Sequence, residues 1–402
     1  MSDNTQVNAP QASALVVGLL IAISALNPLS VNIIVPALTS MAEGLDTDFA
    51  TAQLTLSSYL FATAIALLVH GPLSDKFGRR PIVLVGVAIY VFASVLCVVA
   101  TSIWIVILGR ILQGVGAAAG FALGRAIVRD LYEREKAASM LGYITMGFST
   151  VPMIAPLIGG LISDYLGWRL IFVFVAIVTF VLLVFVWFGL PETRKPMAVG
   201  QTRPGFFQSF QILAKIPAFW AYTLNLGFMV AVFFVFLGGT PFVATTLLGM
   251  SGTEFGIYFA LVPVGFFLGN WLTAGLAVRL GIGIMIRGGN FLALISGIIS
   301  AILLGSGWQH PFALFAPMYL MGFANGLCIA NGTAGTVSIR PALAGAASGI
   351  AGSFQMGFGA IATVVIGYLL TLTQSPMPVP ILIAIFAALA LATGFWIKTA
   401  RS

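Results

Sequence analysis

The amino-acid sequence predicts an all-α membrane protein of about twelve transmembrane helices, in two six-helix halves related by a pseudo-two-fold axis along the membrane normal. Three observations lead there. Charged residues make up only 7% of the 402 positions, while 60% are hydrophobic. Uncharged apolar segments recur at about 20 residues, the length that crosses a bilayer as a helix. Lys and Arg are confined almost entirely to alternate gaps between those segments. A soluble chain carries roughly a quarter charged residues, so this one could not cover its surface in water.

The polar tail "MSDNTQVNAPQAS" has no Lys or Arg and does not read as a secretory signal peptide. Spans then fall near 14–38, 50–70, 81–100, 103–127, 138–162 and 168–190. A second set falls near 216–240, 255–278, 286–306, 311–335, 344–370 and 379–397. Gly and Pro recur within them, which lipid tolerates when neighbouring helices re-satisfy the backbone. The longest gap, "PETRKPMAVGQTRPGFFQSFQILAK", divides the chain into an N-terminal half (1–190), a linker (191–215) and a C-terminal half (216–402).

Gaps after even-numbered spans hold Lys76, Arg79 and Arg80; Arg129, Arg134 and Lys136; Arg194, Lys195, Arg203 and Lys215. Further even gaps hold Arg279 and Arg287, Arg340, and finally Lys398 and Arg401, whereas the odd gaps hold only Arg169. The positive-inside rule makes the even gaps and both termini cytoplasmic. The net charge of +7 is thereby a topology signal and not a nucleic-acid footprint. Cys97 and Cys328 both fall within spans and read as packing residues. The halves also echo each other: "GPLSDKFG" (71–78), shifted by 203 positions, meets "AGLAVRLG" (274–281), aligning Leu73, Lys76 and Gly78 with Leu276, Arg279 and Gly281.

"HGPLSDKFGRRP" (70–81) concentrates charge at a tight turn between the second and third spans. Its residues Gly71, Leu73, Asp75, Lys76, Gly78, Arg79 and Arg80 resemble the signature of the major facilitator superfamily. That resemblance implies a conformational latch of Gly71, Asp75, Gly78, Arg79 and Arg80, with Asp130 at the foot of span four as a partner for Arg79. A topology anchor is the plainer alternative, but anchoring requires neither the acid nor both glycines. "RILQGVGAAAG" (110–120) resembles a second signature of the superfamily, with Arg110 and Gln113 as its polar members. An arginine inside a membrane helix is a functional hypothesis by default. Gly116, Gly120 and Gly124, four apart, read as a packing stripe.

"VPMIAPLIGG" (151–160) resembles the fifth-span packing motif of drug antiporters through Pro152, Pro156, Gly159 and Gly160, although Val151 and Ala155 stand where that motif has glycine. With "GTPFVATTLLGMS" (239–251) and "AGAASGIAGSFQMG" (344–357), it is most similar to the bicyclomycin and chloramphenicol resistance branch. In the latter, Gly345, Gly349, Ser353 and Gly357 form another four-spaced small stripe. Members of that branch commonly carry an acid four positions before the first-span proline, as a proton carrier. Here that position is Asn32, before Pro36, and every acid falls in a loop, tail or helix end.

Arg110 and Asn32 both lie ~10 Å below the outer boundary at 1.5 Å per residue. If spans one and four line one cavity, Arg110 meets an amide there in place of a carboxylate, and neither group titrates. Such a chamber favours neutral or anionic cargo. Asn32 as a helix-packing amide stays open. The substrate-contacting residues expected are Asn27, Asn32, Tyr59, Arg110, Gln113, Tyr222, Asn225, Phe228, Asn325 and Gln355, with Ser30 beside them. Tyr222, Asn225 and Phe228 are spaced by three and share a helix face.

The resemblance implies a secondary transporter of the bacterial inner membrane that exports small amphipathic molecules, antibiotics among them, by alternating access. Protons are a candidate second partner, through His70 or Asp75, since Asn32 cannot titrate. The alternative is a facilitator or metabolite exporter for a neutral or anionic solute without obligatory proton exchange. No phosphate-binding G-x-x-x-x-G-K-[ST] run, metal constellation or nucleophile triad is present in the sequence, so no cofactor, metal or enzymatic chemistry is expected. The expected partners are the solute and the bilayer, with no nucleic acid, and the expected assembly is a monomer.

Overall fold

A computed structural model describes residues 14–132, 134–194, 206–308 and 310–397. The polar tail, Glu133, the central linker with Lys195 and Arg203, and the C-terminal Lys398 and Arg401 lie outside the described residues. Among the described residues, eleven helices are long and apolar enough to cross a membrane. A further helix, with an apolar stretch Thr150–Leu166, stands in the place of the fifth span.

The first bundle holds α1 (Ala14–Ile33), α2 (Leu38–Gly44), α3 (Phe49–Phe77), α4 (Arg79–Val98), α5 (Ile103–Leu131), α6 (Arg134–Leu166) and α7 (Arg169–Gly189). Pro36 lies in a 3₁₀ turn, Val35–Ala37, that breaks α1 from α2, because proline lacks the N–H needed to continue an α-helix. The second bundle follows the short α8 (Phe206–Ala214). It holds α9 (Pro217–Pro241), α10 (Gly252–Phe259), α11 (Leu261–Leu280), α12 (Ile282–Gly305), α13 (Pro311–Ser338), α14 (Ala344–Thr373) and α15 (Pro378–Trp396). The expected span at 255–278 is therefore two helices, α10 and α11, which part at Ala260.

The end of the second span moves furthest. The second span runs seven residues past its expected end, so most of "HGPLSDKFGRRP" is helix and the turn is Gly78 alone. Gly78 has φ +103°, and Gly281, its counterpart in the internal echo, has φ +82°. Both stand between two helices in a left-handed conformation that glycine adopts without a Cβ penalty. The echo is thus a repeated hinge geometry.

Close packing comes from small residues. A Cβ at Gly116 would strike the backbone oxygen of Gly86, and one at Gly120 that of Ile23, so α5 sits directly against α4 and α1. Cys97 and Cys328 are buried and free.

The bundles touch at the end remote from the basic loops. Thr39 and Thr245 hydroxyls lie 2.9 Å apart and Ser57 and Thr363 hydroxyls 2.8 Å apart. Gly160 abuts the Gly252 backbone, and the Phe49 and Phe242 ring centres are 5.0 Å apart. Toward the basic end a cavity opens between the bundles, while α3 stays packed on α14, with Leu68 against the cluster that holds Ala347 and Ile350.

Candidate functional site: a cavity between the bundles

A cavity of about 1190 Å³ fills the space between the bundles. Its wall draws on α1, α3, α5 and α6 on one side and on α9, α11, α13 and α14 on the other. It reaches solvent at the basic end, past Asp75, Arg79, Arg129, Asp130 and Arg194. Of the remaining long helices, α4 contributes only its first residue, Arg79, at the mouth, and α7, α12 and α15 back the inner eight.

Four of the expected contact residues line this cavity: Asn27, Asn32, Asn325 and Gln355. Three of them are buried and carry a polar atom with no partner: Asn27 Nδ2, Asn32 Oδ1 and Asn325 Oδ1. Asn32 donates its Nδ2 to the Pro28 carbonyl at 2.8 Å and Asn325 its Nδ2 to the Met321 carbonyl at 3.3 Å, each one turn back along its own helix. That bond turns the remaining amide oxygen away from the helix backbone. An unsatisfied buried amide atom is destabilising unless water or a ligand meets it. Apolar surface from Val230, Phe233, Phe234 and Phe266 flanks these groups.

Six expected contact residues lie elsewhere. Arg110 is only 1% exposed and is enclosed within the first bundle, not on the cavity wall. Its Nε donates to the Thr55 carbonyl (3.1 Å), Nη1 to Ser30 Oγ (2.9 Å) and Gln113 Oε1 (2.7 Å), and Nη2 to the Ser30 carbonyl (3.0 Å). The guanidinium lies over the Tyr59 ring at 4.4 Å, and Gln113 passes the network on to Ser94. Tyr59, Arg110 and Gln113 therefore cross-link α1, α3, α4 and α5. Arg110 and Asn32 do not face one another across the chamber, because α5 turns Arg110 inward and the cavity ends below it.

Tyr222, Asn225 and Phe228 face the second bundle instead. Asn225 donates to the Ala390 carbonyl at 2.7 Å, Tyr222 packs on Gly335, and Phe228 meets Phe358 and Phe386. Their shared face is real, but it is turned to α13, α14 and α15. Gly345 and Gly349 of the α14 stripe face the cavity, where a Cβ at Gly345 would meet nothing.

At the basic end Arg79 bridges two acids. It lies 2.8 Å from Asp75 and 3.2 Å from Asp130, and it also donates to Ser74. Every partner belongs to the first bundle. Sequence reasoning missed Glu192, whose carboxylate accepts backbone N–H groups from Arg79 (2.9 Å), Arg80 (3.2 Å), Thr193 (2.9 Å) and Arg194 (2.9 Å). Arg80 Nη2 reaches the Trp187 carbonyl at 2.6 Å, and Arg194 Nη1 the Lys76 carbonyl at 3.0 Å. Desolvation pushes the Glu192 carboxyl upward, but the four amide donors outweigh it and hold the group below its ordinary value. The available signal was an α4 N-terminus that opens on Gly78 without a side-chain cap.

In the fifth-span motif, Gly159 abuts the Ile33 carbonyl, Gly160 abuts Gly252, and the Pro156 carbonyl lies against Gly256. Pro152 lines the cavity. His70 is buried with Nδ1 unpartnered, and His310 caps the start of α13 at the opposite end.

The sequence matches the family model described as Major Facilitator Superfamily over residues 20–363. It is 32% identical to a chloramphenicol resistance protein of Pseudomonas aeruginosa, over 87% of this chain and 81% of that protein. It is 29% identical to multidrug resistance protein D of Escherichia coli K12, over 86% of each. Among solved structures, it aligns with a bacterial homologue of the human lysosomal transporter Spinster. That alignment has a TM-score of 0.71 and 18% identity, covering 94% of this chain and 96% of that one.

Proposed function

Because the chain belongs to the major facilitator superfamily, in its bicyclomycin and chloramphenicol resistance branch, we propose that it exports small amphipathic compounds across a bacterial inner membrane by alternating access. It is a membrane transporter and not an enzyme. The observation that carries the proposal is one chamber shared by both bundles, with orphan amide atoms of Asn27, Asn32 and Asn325 set among apolar side chains. Such a mixture suits an amphipathic solute. Lys and Arg bias makes the open end and both termini cytoplasmic. The halves then meet at the 191–215 linker, and the conformation is the one that loads cargo from inside the cell.

The Asp75–Arg79–Asp130 cluster acts in this reading as the cytoplasmic latch of the opposite state. Asp75, paired with Arg79 but exposed on its own bundle, presents its outer face to the second bundle when the mouth closes. Pro152, Pro156, Gly159 and Gly160 supply the close contact about which the bundles rock.

Chloramphenicol, named for one relative, is the first probe. Purified protein in liposomes is expected to move it outward, and joint N32A/N325A substitution is expected to weaken its binding about tenfold. Unchanged binding in that double variant would sink the assignment.

A second reading has its own support. Among the described residues, the only carboxylates on the cavity wall are Asp75 and Asp130, both held by Arg79 at the mouth. With Asn32 deeper inside, an exporter or facilitator without obligatory proton exchange fits the same site. Transport titrated against an imposed pH gradient separates the two readings.

A further inference from the structure

We propose that Arg125 is the anion-recognising residue of the cavity, so that the preferred cargo is an amphipathic carboxylate. This deepens the export reading and rests on it. Phe121, Arg125 and Arg129 are spaced by four along α5, share one face, and all line the cavity. Arg125 lies six residues, or ~9 Å, inside the end of α5 at Leu131, between the mouth and the amide groups deeper in.

Among the described residues, six charged side chains line the wall: Asp75, Arg79, Arg125, Arg129, Asp130 and Arg194. Arg79 takes both acids. Among the described residues, no carboxylate lies within ion-pair distance of the other three arginines. Arg194 is committed to the Lys76 carbonyl, and Arg129 is exposed at the rim with its Nε directed back at the Arg125 carbonyl. Arg125 is the cation set into the apolar chamber. Its Cζ stands 5.0 Å from the centre of the Phe121 ring, a placement that orients the planar guanidinium and leaves its edge N–H groups for an incoming ligand.

A guanidinium pairs bidentately with a carboxylate, and the low local dielectric strengthens that pairing relative to water. The aromatic side chains Phe233, Phe234 and Phe266 across the chamber receive the apolar body. Arg110 cannot do this work, since its donors are spent on Ser30, Thr55 and Gln113 inside the first bundle. The chamber is cationic, as the missing first-span acid suggests, but the charge sits on a different arginine.

The test uses full-length protein in phosphatidylcholine nanodiscs and three probes on one scaffold: 1-naphthaleneacetate, neutral 1-naphthaleneacetamide and cationic 1-naphthylmethylammonium. Calorimetric titration should find the acetate bound about tenfold more tightly than the amide, with the cation weakest. Arg125→Gln should abolish the acetate–amide gap, Arg125→Lys should keep part of it, and Arg279→Gln, exposed on α11, should leave it intact. Retained monodisperse elution and a positive Lys variant guard against mere misfolding. Equal binding of acetate and amide to the wild type, or a gap that survives Arg125→Gln, overturns the inference. In either event, continued chloramphenicol export in liposomes leaves the export reading standing. A wild type that extrudes neither chloramphenicol nor any naphthyl probe removes that reading and this one with it.

Discussion

The carboxylate of Asp164, at the end of α6, caps the N-terminus of α10 in the opposite bundle. It accepts the backbone N–H of Gly252 at 3.0 Å and of Thr253 at 2.7 Å, and the Thr253 hydroxyl at 2.7 Å. Ser251 caps the next N–H, that of Glu254, and Glu254 returns the bond to complete a capping box. The first three donors of α10 are thereby met, and two of them depend on a residue more than eighty positions away. This bond exists only while the bundles stay closed at the end remote from the basic loops.

Asp164→Ala should therefore weaken that closed end. A charged group at an exposed helix N-terminus contributes up to about 1 kcal/mol, so the ratio of closed to open should fall about fivefold. Spin labels at Glu43 and Thr246, flanking the same junction, would read this as a longer distance population. Both native cysteines are buried and leave the labelling selective. An unchanged distance distribution would refute the role.

Glu192 predicts a pH dependence. Its carboxyl is held below the ordinary glutamate value of 4.5, so the fold favours the ionised form. The stabilisation is complete above about pH 4.5 and is lost as pH falls through the lowered native value. Glu192→Gln should lower the melting temperature in nanodiscs at pH 7.5, and the difference from wild type should shrink on acidification below that point. A difference independent of pH would argue against an ionised cap.

Gly349→Leu should separate binding from transport. In this conformation a Cβ at Gly349 meets only the Leu67 carbonyl, at 4.0 Å, so a larger side chain fits the open chamber. α14 already packs along α3 in this conformation, and closing the cytoplasmic mouth tightens that contact at its basic end, where overpacking costs roughly 1–3 kcal/mol. Turnover should fall about tenfold, with equilibrium binding changed less than about twofold.

Arg110→Lys tests the structural assignment of that residue. Lysine cannot reproduce four divergent hydrogen bonds, so stability should drop by roughly 1–3 kcal/mol, read as a lower melting temperature. The charge preference among the naphthyl probes should persist. Loss of that preference would return Arg110 to the ligand site.

Much of the architecture was legible in the chain itself. Apolar runs of span length located the long helices, and the alternation of Lys and Arg marked one end of the molecule. The echo between Gly78 and Gly281 anticipated two hinges of the same backbone conformation. The small residues Gly159 and Gly160 foretold the close approach of α6 to Ile33 and Gly252. Of the residues expected to contact substrate, Asn27, Asn32, Asn325 and Gln355 line the cavity.

The rest was decided by azimuth. Spacing by three or four shows which side chains share a face of one helix, but lipid-spanning helices lack a polar and an apolar side that would say where the face points. Arg110 and Arg125 are both arginines of α5; packing against Ser30 and Thr55 turns one inward, while the gap between the bundles exposes the other. Tyr222, Asn225 and Phe228 were correctly grouped and yet face their own bundle. Glu192 caps α4 only because the chain after α7 returns to the Gly78 turn. Local sequence determined which segments span and where they turn, because burial in lipid acts on each helix separately. Which residues meet a solute was decided only by tertiary packing, because the chamber is the space the two bundles leave between them.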